Sequence, residues 1–367
     1  MKKIIKFVDL VSKYRQFQFG FHEDLDRLVS SGAYILGDIV SEFEQALSDF
    51  SGVKHAIAVA NGTDALVLSL RAGGVVCGDE VITTPMSYLA STSAIALCGA
   101  KAVFADVDET LNANPQSIES LITDKTKAIL VVHLAGNPAN LSEIRNVADR
   151  NGLFVIEDCA QALGASFAGE QVGSFGDFAG ISFHPLKNLG ALGDAGAVLT
   201  DNDGYAEWLR KARNHGHISR EDCGFWSMNS RLDALQAAFL LRMLKEYPVE
   251  LKRRRSLAGI YMEELSGTVE FQFCIEGAKP SYNWFILLAE KRADLMRHLD
   301  RSGVETKIHY PILIPDMHAA ERLTCAPSPL PRARNYVEKI LSLPCGEHIT
   351  EEDAFYITGL IRQFYGK

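Results

Sequence analysis

Short apolar runs alternate with longer segments of helical pattern between residues 54 and 200, and few folds accept such an alternation. Each apolar run has the length of a β-strand, and each following segment has the length of a helix. The strand-like runs are 56–60, 80–84, 102–106, 128–133 and 153–157, and the helical segments are 64–71, 89–98, 115–122 and 141–151. Strands that alternate with helices predict a parallel sheet covered on both faces. The runs are apolar on both sides, as expected for strands covered twice.

The pattern changes after about residue 200. Helical segments at 205–214 and 232–246 are followed by Pro248, which predicts a helix break, and then by a charged helix at 251–265. Beyond these, strands are predicted at 269–273, 283–288 and 306–309, with a helix at 292–303. We therefore predict an α/β fold with a mostly parallel sheet. A large domain is expected over 1–247, the N-terminal segment included, and a smaller α+β domain over 248–367.

The charge and composition limit the classes of partner that the chain is expected to bind. The net charge of −9 favours neither nucleic acid nor an anionic membrane surface as partner. No run of about 20 apolar residues predicts a membrane-spanning helix. The basic start, from Met1 to Leu10, is too short in apolar residues for a signal peptide and is interpreted as a native start.

The seven cysteines are scattered and form no C-x-x-C motif, so neither a disulfide framework nor a zinc site is predicted. A reducing cytoplasm fits this usage best. His215 and His217 flank a glycine, but two histidines without an acidic or cysteine partner are a weak metal motif. A loop that contacts substrate or solvent is the alternative, and no metal is predicted.

Lys187 is the first candidate for chemistry. It follows the end of an apolar strand, in Gly180-Ile-Ser-Phe-His-Pro-Leu-Lys-Asn-Leu-Gly190. The crevice beyond the carboxyl ends of strands is where open α/β sheets bind ligands. Lysine forms Schiff bases with carbonyl cofactors, although most lysines are only solvated surface charges.

Two further segments strengthen this interpretation. Asn61, Gly62 and Thr63 end a strand and begin a helix, where unpaired N–H groups bind phosphate; a plain helix cap is the alternative. Asp158 follows another strand, where a carboxylate could keep a pyridine-type nitrogen protonated, as pyridoxal phosphate (PLP) chemistry requires. A strand-end cap or an ion pair is the alternative for this aspartate.

Two other residues have weaker signals of their own. Tyr88 follows a strand and could stack on a flat ring, or it could be a packed loop aromatic. Ser182 lies five residues before Lys187 and could reach a phosphate, or it could be only a strand residue. The glycines at 190, 193 and 196 do not have the spacing of a dinucleotide-binding loop, so a Rossmann cofactor site is rejected.

These segments together resemble a known family. They are Asn61–Leu66, Glu157–Ala162, Ser182–Gly190, Gly193–Ala197 and Asn229–Asp233. Their order and content resemble the DegT/DnrJ/EryC1/StrS family of fold-type I PLP-dependent aminotransferases, most of which act on nucleotide-linked keto sugars. The resemblance covers nearly the whole chain.

The resemblance implies a role for each residue. Lys187 would bind PLP covalently, Asp158 would contact the ring nitrogen and Gln161 the ring hydroxyl. Tyr88 would stack on the ring. The implied phosphate ligands are Gly62, Thr63, Ser182 and, from the neighbouring subunit, Asn229. The last role implies a homodimer with shared active sites.

Substrate contacts are less defined. His184, His309 and Tyr310 are expected near the sugar, and the segment 307–311 resembles that of members that aminate C3. Many members carry His at the position of Leu163, Thr at that of Leu186 and Gly at that of Ala195. These departures concern the substrate and leave the cofactor groups intact. The basic stretch 252–255 is either a nucleotide contact or a solvated helix face.

The predicted function is transfer of an amino group from L-glutamate or glutamine to a keto sugar. A nucleotide-linked 3-keto-deoxysugar is expected, for surface polysaccharide, such as lipopolysaccharide, or for natural-product amino sugars. Amination at C4, or of a cyclitol or another keto sugar without a nucleotide, stays open. A PLP-dependent sugar dehydratase and a non-catalytic PLP-binding sensor are alternatives of another class. Retention of Lys187 argues against the dehydratase, and retention of Lys187, Asp158, Gln161 and Asn229 together argues against the sensor.

Overall fold

A computed structural model describes residues 4–322 and 329–367 of the chain. Met1–Lys3 of the predicted native start and Cys325 lie outside the described residues. The α-helices are α1 (Leu10–Arg15), α2 (Gln18–Ser31), α3 (Asp38–Ser51), α4 (Gly62–Ala72), α5 (Ala90–Leu97), α6 (Pro115–Ser120), α7 (Leu141–Asn151), α8 (Asp203–Ala212), α9 (Ala234–Glu264), α10 (Arg292–Arg301), α11 (Pro331–Lys339) and α12 (Glu351–Tyr365). The β-strands are β1 (His55–Val59), β2 (Glu80–Thr83), β3 (Lys101–Phe104), β4 (Thr126–Val132), β5 (Phe154–Asp158), β6 (Ser166–Phe167), β7 (Glu170–Gln171), β8 (Phe178–Ser182), β9 (Gly196–Thr200), β10 (Glu270–Phe271), β11 (Ala278–Lys279), β12 (Phe285–Leu288) and β13 (Ile340–Leu343).

The central sheet has the strand order β1-β9-β8-β5-β4-β2-β3 in the part of the chain that the structure describes. Only β9 runs antiparallel to its neighbours, β1 and β8, so the predicted mostly parallel sheet is confirmed. Alternate residues of a strand enter different cores: Ile57 and Val59 pack on one face of the sheet, and Ala56 and Ala58 on the other. All four are buried because helices cover both faces.

The smaller C-terminal unit is built on a second sheet, with the order β10-β12-β13 and antiparallel pairing. Its core joins Phe285 and Leu341 of the sheet to Leu295 of α10 and Ile357 of α12. Ile5 packs in this same core, although the N-terminal segment was assigned to the large domain. The boundary between 247 and 248 stays a prediction.

Pro248 does not break the helix, and this part of the sequence prediction was wrong. α9 runs through it without interruption. A proline inside a helix costs about 3 kcal/mol because it removes one backbone hydrogen bond and crowds the preceding turn. Packing on both sides offsets this cost: Tyr247 and Leu251 are buried, and the helix continues from the large core into the C-terminal core, where Tyr261 lies.

The predicted strand at 306–309 is also wrong. Within the described residues this segment makes one isolated bridge, between Lys307 and Ser342. The physical reason is that His309 leaves the direction of the strand and stacks on Trp284, at a ring distance of 4.3 Å. The segment therefore crosses from the small sheet towards the large one.

Among the helices of residues 4–322 and 329–367, none combines the length and the apolar composition that crossing a membrane requires.

Candidate active site

A cavity of about 610 Å³ opens at the carboxyl ends of the parallel strands. Its lining includes ten of the eleven residues to which the family resemblance gives a role: Gly62, Thr63, Tyr88, Asp158, Gln161, Ser182, His184, Lys187, His309 and Tyr310. The carboxyl edge of β5 supplies the aspartate, the end of β8 the serine, and the first turn of α4 the small residues. The fold therefore brings together residues that are up to 248 positions apart, from 62 to 310.

The N-terminus of α4 forms one end of the cavity. The side chain of Asn61 accepts a hydrogen bond from Asp64 N at 2.8 Å, which caps the helix and leaves the N–H groups of Gly62 and Thr63 for an anion. A Cβ at position 62 would lie 2.7 Å from Ser182 Cβ, so only glycine allows this approach of helix to strand. The result is a cradle of backbone N–H and hydroxyl groups that suits a phosphate.

Asp158 is buried at the floor of the cavity. Its Oδ1 accepts a hydrogen bond from Ala160 N at 3.1 Å, and its Oδ2 accepts one from Ser91 Oγ at 2.7 Å. Ser91 is bonded in turn to Ser87, at 2.8 Å between the hydroxyl oxygens. Sequence reasoning missed Ser91, because it stands in α5 and reaches the aspartate only through the fold. These bonds fix the carboxylate in one orientation.

Lys187 is half-buried at the side of the cavity. Burial lowers the pKa of its ammonium to about 8, while the carboxylate of Asp158 acts in the opposite direction. At neutral pH, a measurable fraction of this lysine is therefore the free amine, which is the nucleophilic form. The backbone holds the residue in a turn, since Lys187 N donates to His184 O at 2.8 Å.

Aromatic residues line the other side. Tyr88 is exposed at the mouth, and its ring centroid lies 5.9 Å from that of Tyr310. Gln161 Nε2 donates to the hydroxyl of Tyr310 at 3.0 Å, while Gln161 Oε1 accepts from Ala135 N at 2.7 Å. Gln161 thus positions the tyrosine, a contact that sequence reasoning did not foresee. Burial raises the pKa of Tyr310 far above its usual value, so its hydroxyl stays protonated.

His309 is held between two fixed groups. Its ring stacks on Trp284, and its Nδ1 lies 2.9 Å from Ser342 Oγ. Burial lowers the pKa of His309 to about 4, with the nearby Lys187 acting in the same direction, so the imidazole is neutral at pH 7. Trp284 lines the cavity and was missed by sequence reasoning. A neutral, oriented imidazole can donate or accept a hydrogen bond from a ligand.

His184 differs from His309 because it is exposed. Its Nδ1 accepts a hydrogen bond from Leu186 N at 3.2 Å, which leaves Nε2 as the ring nitrogen that is free to donate. Partial burial and the nearby Lys187 lower its pKa, while Asp194 acts in the opposite direction.

Asn229 is the one predicted residue outside the cavity of its own chain, among the residues that the structure describes. It is exposed and forms a backbone bridge with Asn214. The next residue, Ser230, donates to Asp64 Oδ2 at 2.6 Å and so ties this loop to the start of α4.

Two other charged clusters do not form sites. His133, Glu157 and Cys159 are close enough to hold a metal, but His133 Nε2 donates to Glu157 at 3.1 Å, and His133 Nδ1 accepts from Ala139 N. The same carboxylate also accepts three backbone N–H groups, so the cluster satisfies itself. The basic stretch 252–255 is neither a free nucleotide contact nor wholly a solvated face. Its three arginines bind backbone carbonyls, and the middle one also pairs with Glu347.

The cavity fits PLP by the chemistry of its lining. A phosphate suits the first turn of α4, a protonated ring nitrogen suits Asp158, and a carbonyl group suits the amine of Lys187. All three groups line the same cavity.

Comparison with known proteins agrees with this fit. The model of the DegT/DnrJ/EryC1/StrS aminotransferase family matches residues 19–362. The chain is 37% identical to a pleiotropic regulatory protein of Geobacillus stearothermophilus over 98% of both chains. It is 35% identical to a dTDP-3-amino-3,4,6-trideoxy-alpha-D-glucose transaminase of Streptomyces venezuelae, over 98% of this chain and 96% of that one. A UDP-N-acetyl-3-dehydro-alpha-D-glucosamine 3-aminotransferase of Acidithiobacillus ferrooxidans is 36% identical to the chain, over 98% of this chain and 97% of that one.

Solved structures resemble the whole chain. The crystal structure of S. venezuelae DesV superposes with a TM-score of 0.96, at 35% identity, over 99% of both chains. Bacillus subtilis NtdA with bound cofactor PMP superposes with a TM-score of 0.90, at 29% identity, over 100% of this chain and 86% of that one.

Proposed function

The chain belongs to the DegT/DnrJ/EryC1/StrS aminotransferase family of PLP-dependent enzymes, and from this premise we propose its substrates and site roles. The amino donor is L-glutamate, and the acceptor is the 3-keto group of a nucleotide-linked sugar. The observation that carries the proposal is the convergence of Lys187, Asp158 and the start of α4 on one cavity. Two relatives are named for 3-amino sugars or a 3-dehydro sugar, which supports position C3.

PLP, when bound, supplies an electron-withdrawing ring that makes a proton on the attached substrate carbon acidic. Lys187 would form the covalent link to the cofactor, and its free amine would remove that proton and return it. Its lowered pKa, about 8, suits this exchange because both forms of the amine are available near neutral pH. Asp158 holds the ring nitrogen protonated, and Ser91 orients the carboxylate.

The remaining contacts orient the cofactor and the sugar. Gly62, Thr63 and Ser182 bind the phosphate, and Tyr88 covers the ring at the mouth of the cavity. Gln161 is assigned to contact the hydroxyl group of the cofactor ring. The neutral imidazole of His309 and the hydroxyl of Tyr310 face the same cavity and are assigned to hydroxyl groups of the sugar. The exposed position of His184 assigns it to the part of the substrate nearer the entrance.

A homodimer with shared sites is part of the proposal. Asn229 lies outside the cavity of its own chain and is exposed, as a residue that serves a partner must be. The same loop exposes two large apolar side chains, Trp226, at 93%, and Ile218, at 55%. An isologous interface would cover them and bring each loop to the partner's cavity.

The six described cysteines are free thiols, which supports our placement in a reducing cytoplasm.

The experiment that tests the substrate runs the reaction in reverse. The holoprotein is incubated with 2-oxoglutarate and each member of a panel of dTDP- and UDP-linked amino sugars, with the amine at C3 or at C4. We expect L-glutamate to form from 3-amino sugars and the new ketone to be located at C3 by NMR. Turnover confined to 4-amino sugars would move the proposal to C4. Absence of turnover with every member of the panel would contradict a nucleotide-linked amino sugar as the substrate.

A further inference from the structure

α1 lies directly behind the loop that carries Lys187. Lys13 is the buried residue of this short helix, with 4% exposure. Its ammonium donates to Lys187 O at 2.5 Å and to Pro185 O at 3.4 Å. The adjacent Tyr14 hydroxyl lies 3.2 Å from Pro185 O and 3.0 Å from Ala191 O. Two consecutive side chains thus hold three carbonyl oxygens of the same loop.

The buried ammonium belongs to a cluster of paired charges. Glu347 accepts from Arg254 at 2.6 Å and lies 3.8 Å from Lys13 Nζ. Arg254 also pairs with Glu250 at 2.9 Å, and Arg253 lies 4.0 Å from the same carboxylate, so three cations face two carboxylates. A buried charge without such partners would cost several kcal/mol, which is why a lysine seldom takes this position. The cluster connects α1 and α9 to the segment before α12.

We propose that Lys13 is a positioning residue that fixes the peptide of Lys187, so that the amine of Lys187 stays aligned with the reacting carbon. The inference rests on the role proposed for Lys187. The carbonyl of Lys187 points back towards α1, while its side chain lines the cavity. Anchoring the carbonyl therefore limits rotation of the residue that carries the amine. Neither Lys13 nor Tyr14 lines the active-site cavity, so both act through the loop.

The charge on Lys13 matters as well as the contact. An ammonium binds two carbonyl oxygens more strongly than a neutral donor does. Burial lowers the pKa of Lys13 to about 8, with Arg254 acting in the same direction and Glu347 and Glu250 in the opposite one.

The test compares Lys13→Met with wild type, both as holoprotein, in the half-reaction with L-glutamate. Because small misplacements of reacting groups cost up to about a hundredfold, we expect the limiting rate to fall about ten- to a hundredfold, with KM for glutamate within about twofold. In apoprotein, the rate at which the Lys187 amine captures PLP should fall as well, which gives a readout that does not depend on turnover. Lys13→Arg should recover most of the rate.

Lys245→Met is the matched control. This exposed lysine and Lys13 line the same second cavity, outside the active site, but Lys245 is not among the described donors to the loop that carries Lys187. Lys13→Gln, which keeps a neutral donor, replaces Lys13→Met if the latter does not fold, and a partial loss is expected. Wild-type rates of the half-reaction and of PLP capture in the folded Met or Gln variant would overturn the inference. Failure of the wild type itself to react with either glutamate or glutamine would instead overturn the proposed function.

Discussion

At Lys187, burial and a neighbouring carboxylate act in opposite directions on the pKa of the ammonium. Burial prevails, and the pKa falls to about 8 from its ordinary value of 10.5. A lowered pKa means that the free amine is present at lower pH than in an exposed lysine. The neutral fraction should grow from about a tenth at pH 7 to about half at pH 8.

The first prediction follows from that titration. The rate at which apoprotein captures PLP covalently should rise about fivefold between pH 7 and pH 8 and level off above pH 9, because only the free amine attacks the aldehyde. Stopped-flow absorption measures this rate. A rate that keeps rising towards pH 10.5 would show that Lys187 has an ordinary pKa.

The second prediction concerns Asp158. Asp158→Asn should keep the bond to Ala160 and still bind PLP, yet lose about a hundredfold or more of its transamination rate, because a neutral amide does not hold the ring nitrogen protonated. Ser91→Ala removes one donor to the carboxylate and should give a smaller loss in the same direction. Equal rates in wild type and Asp158→Asn would remove this aspartate from the mechanism.

Sequence reasoning found residues that stand in local motifs and missed those that act across the fold. Lys187 follows a strand and Asp158 ends one, and these positions mark them once the neighbouring motifs are considered together. Ser91 and Lys13 stand in ordinary helical sequence and become relevant only when folding brings them to Asp158 and to the Lys187 loop, which are 67 and 174 positions away. Single-sequence patterns do not record such distances.

At the scale of elements, the first turn of α4 depends on glycine. A Cβ at Gly62 would also lie 3.2 Å from Ser182 Cα, and a Cβ at Gly196 would lie 2.4 Å from Asn61 O. Three segments therefore meet at backbone distance, which a side chain of any size would prevent. The strand–turn–helix pattern predicted the helix start, but the role of Gly196 came from β9, which sequence reasoning did not assign.

The third prediction tests this contact. Gly62→Ala should lower stability by about 1–3 kcal/mol through overpacking and weaken PLP binding, because the helix must move away from Ser182. Gly259→Ala is the control, since a Cβ there meets nothing within 4 Å in the middle of α9 and should stabilise the protein by up to about 1 kcal/mol. Thermal unfolding and PLP titration measure both effects. Unchanged PLP affinity in Gly62→Ala would contradict the phosphate cradle.

The long helix shows where local propensity is overridden. Pro248 predicted two helices, yet α9 continues because Tyr247 and Leu251 are buried on either side of the proline. The energy of packing two cores exceeds the loss of one hydrogen bond. Sequence patterns contain the proline but not the second core.

At the scale of the whole molecule, the proposed dimer makes each site depend on two chains. The fourth prediction uses that dependence. Lys187→Ala and Asn229→Ala are each expected to be weakly active, but a mixture that exchanges subunits should recover roughly a quarter of wild-type activity, since half of the dimers are hybrid and each has one intact site.

The control mixes Lys187→Ala with the double variant Lys187→Ala, Asn229→Ala, in which no hybrid site contains the lysine. Native mass spectrometry should confirm subunit exchange. A mixture no more active than the better parent, with exchange demonstrated, would place the complete site within one chain.

One experiment tests both whether Lys187 carries the cofactor and whether the bound cofactor accepts an amino group from the donor. The holoprotein is mixed rapidly with L-glutamate, and separately with glutamine, while its visible absorption is followed. A second sample, without donor, is reduced with borohydride, and peptide mapping then identifies the lysine that carries the cofactor. We predict a single cofactor adduct on Lys187, loss of the visible band with glutamate or glutamine, and about one equivalent of keto acid per subunit. An adduct on another lysine, or a band that neither donor changes, would contradict the assignment of this cavity as a transaminase site.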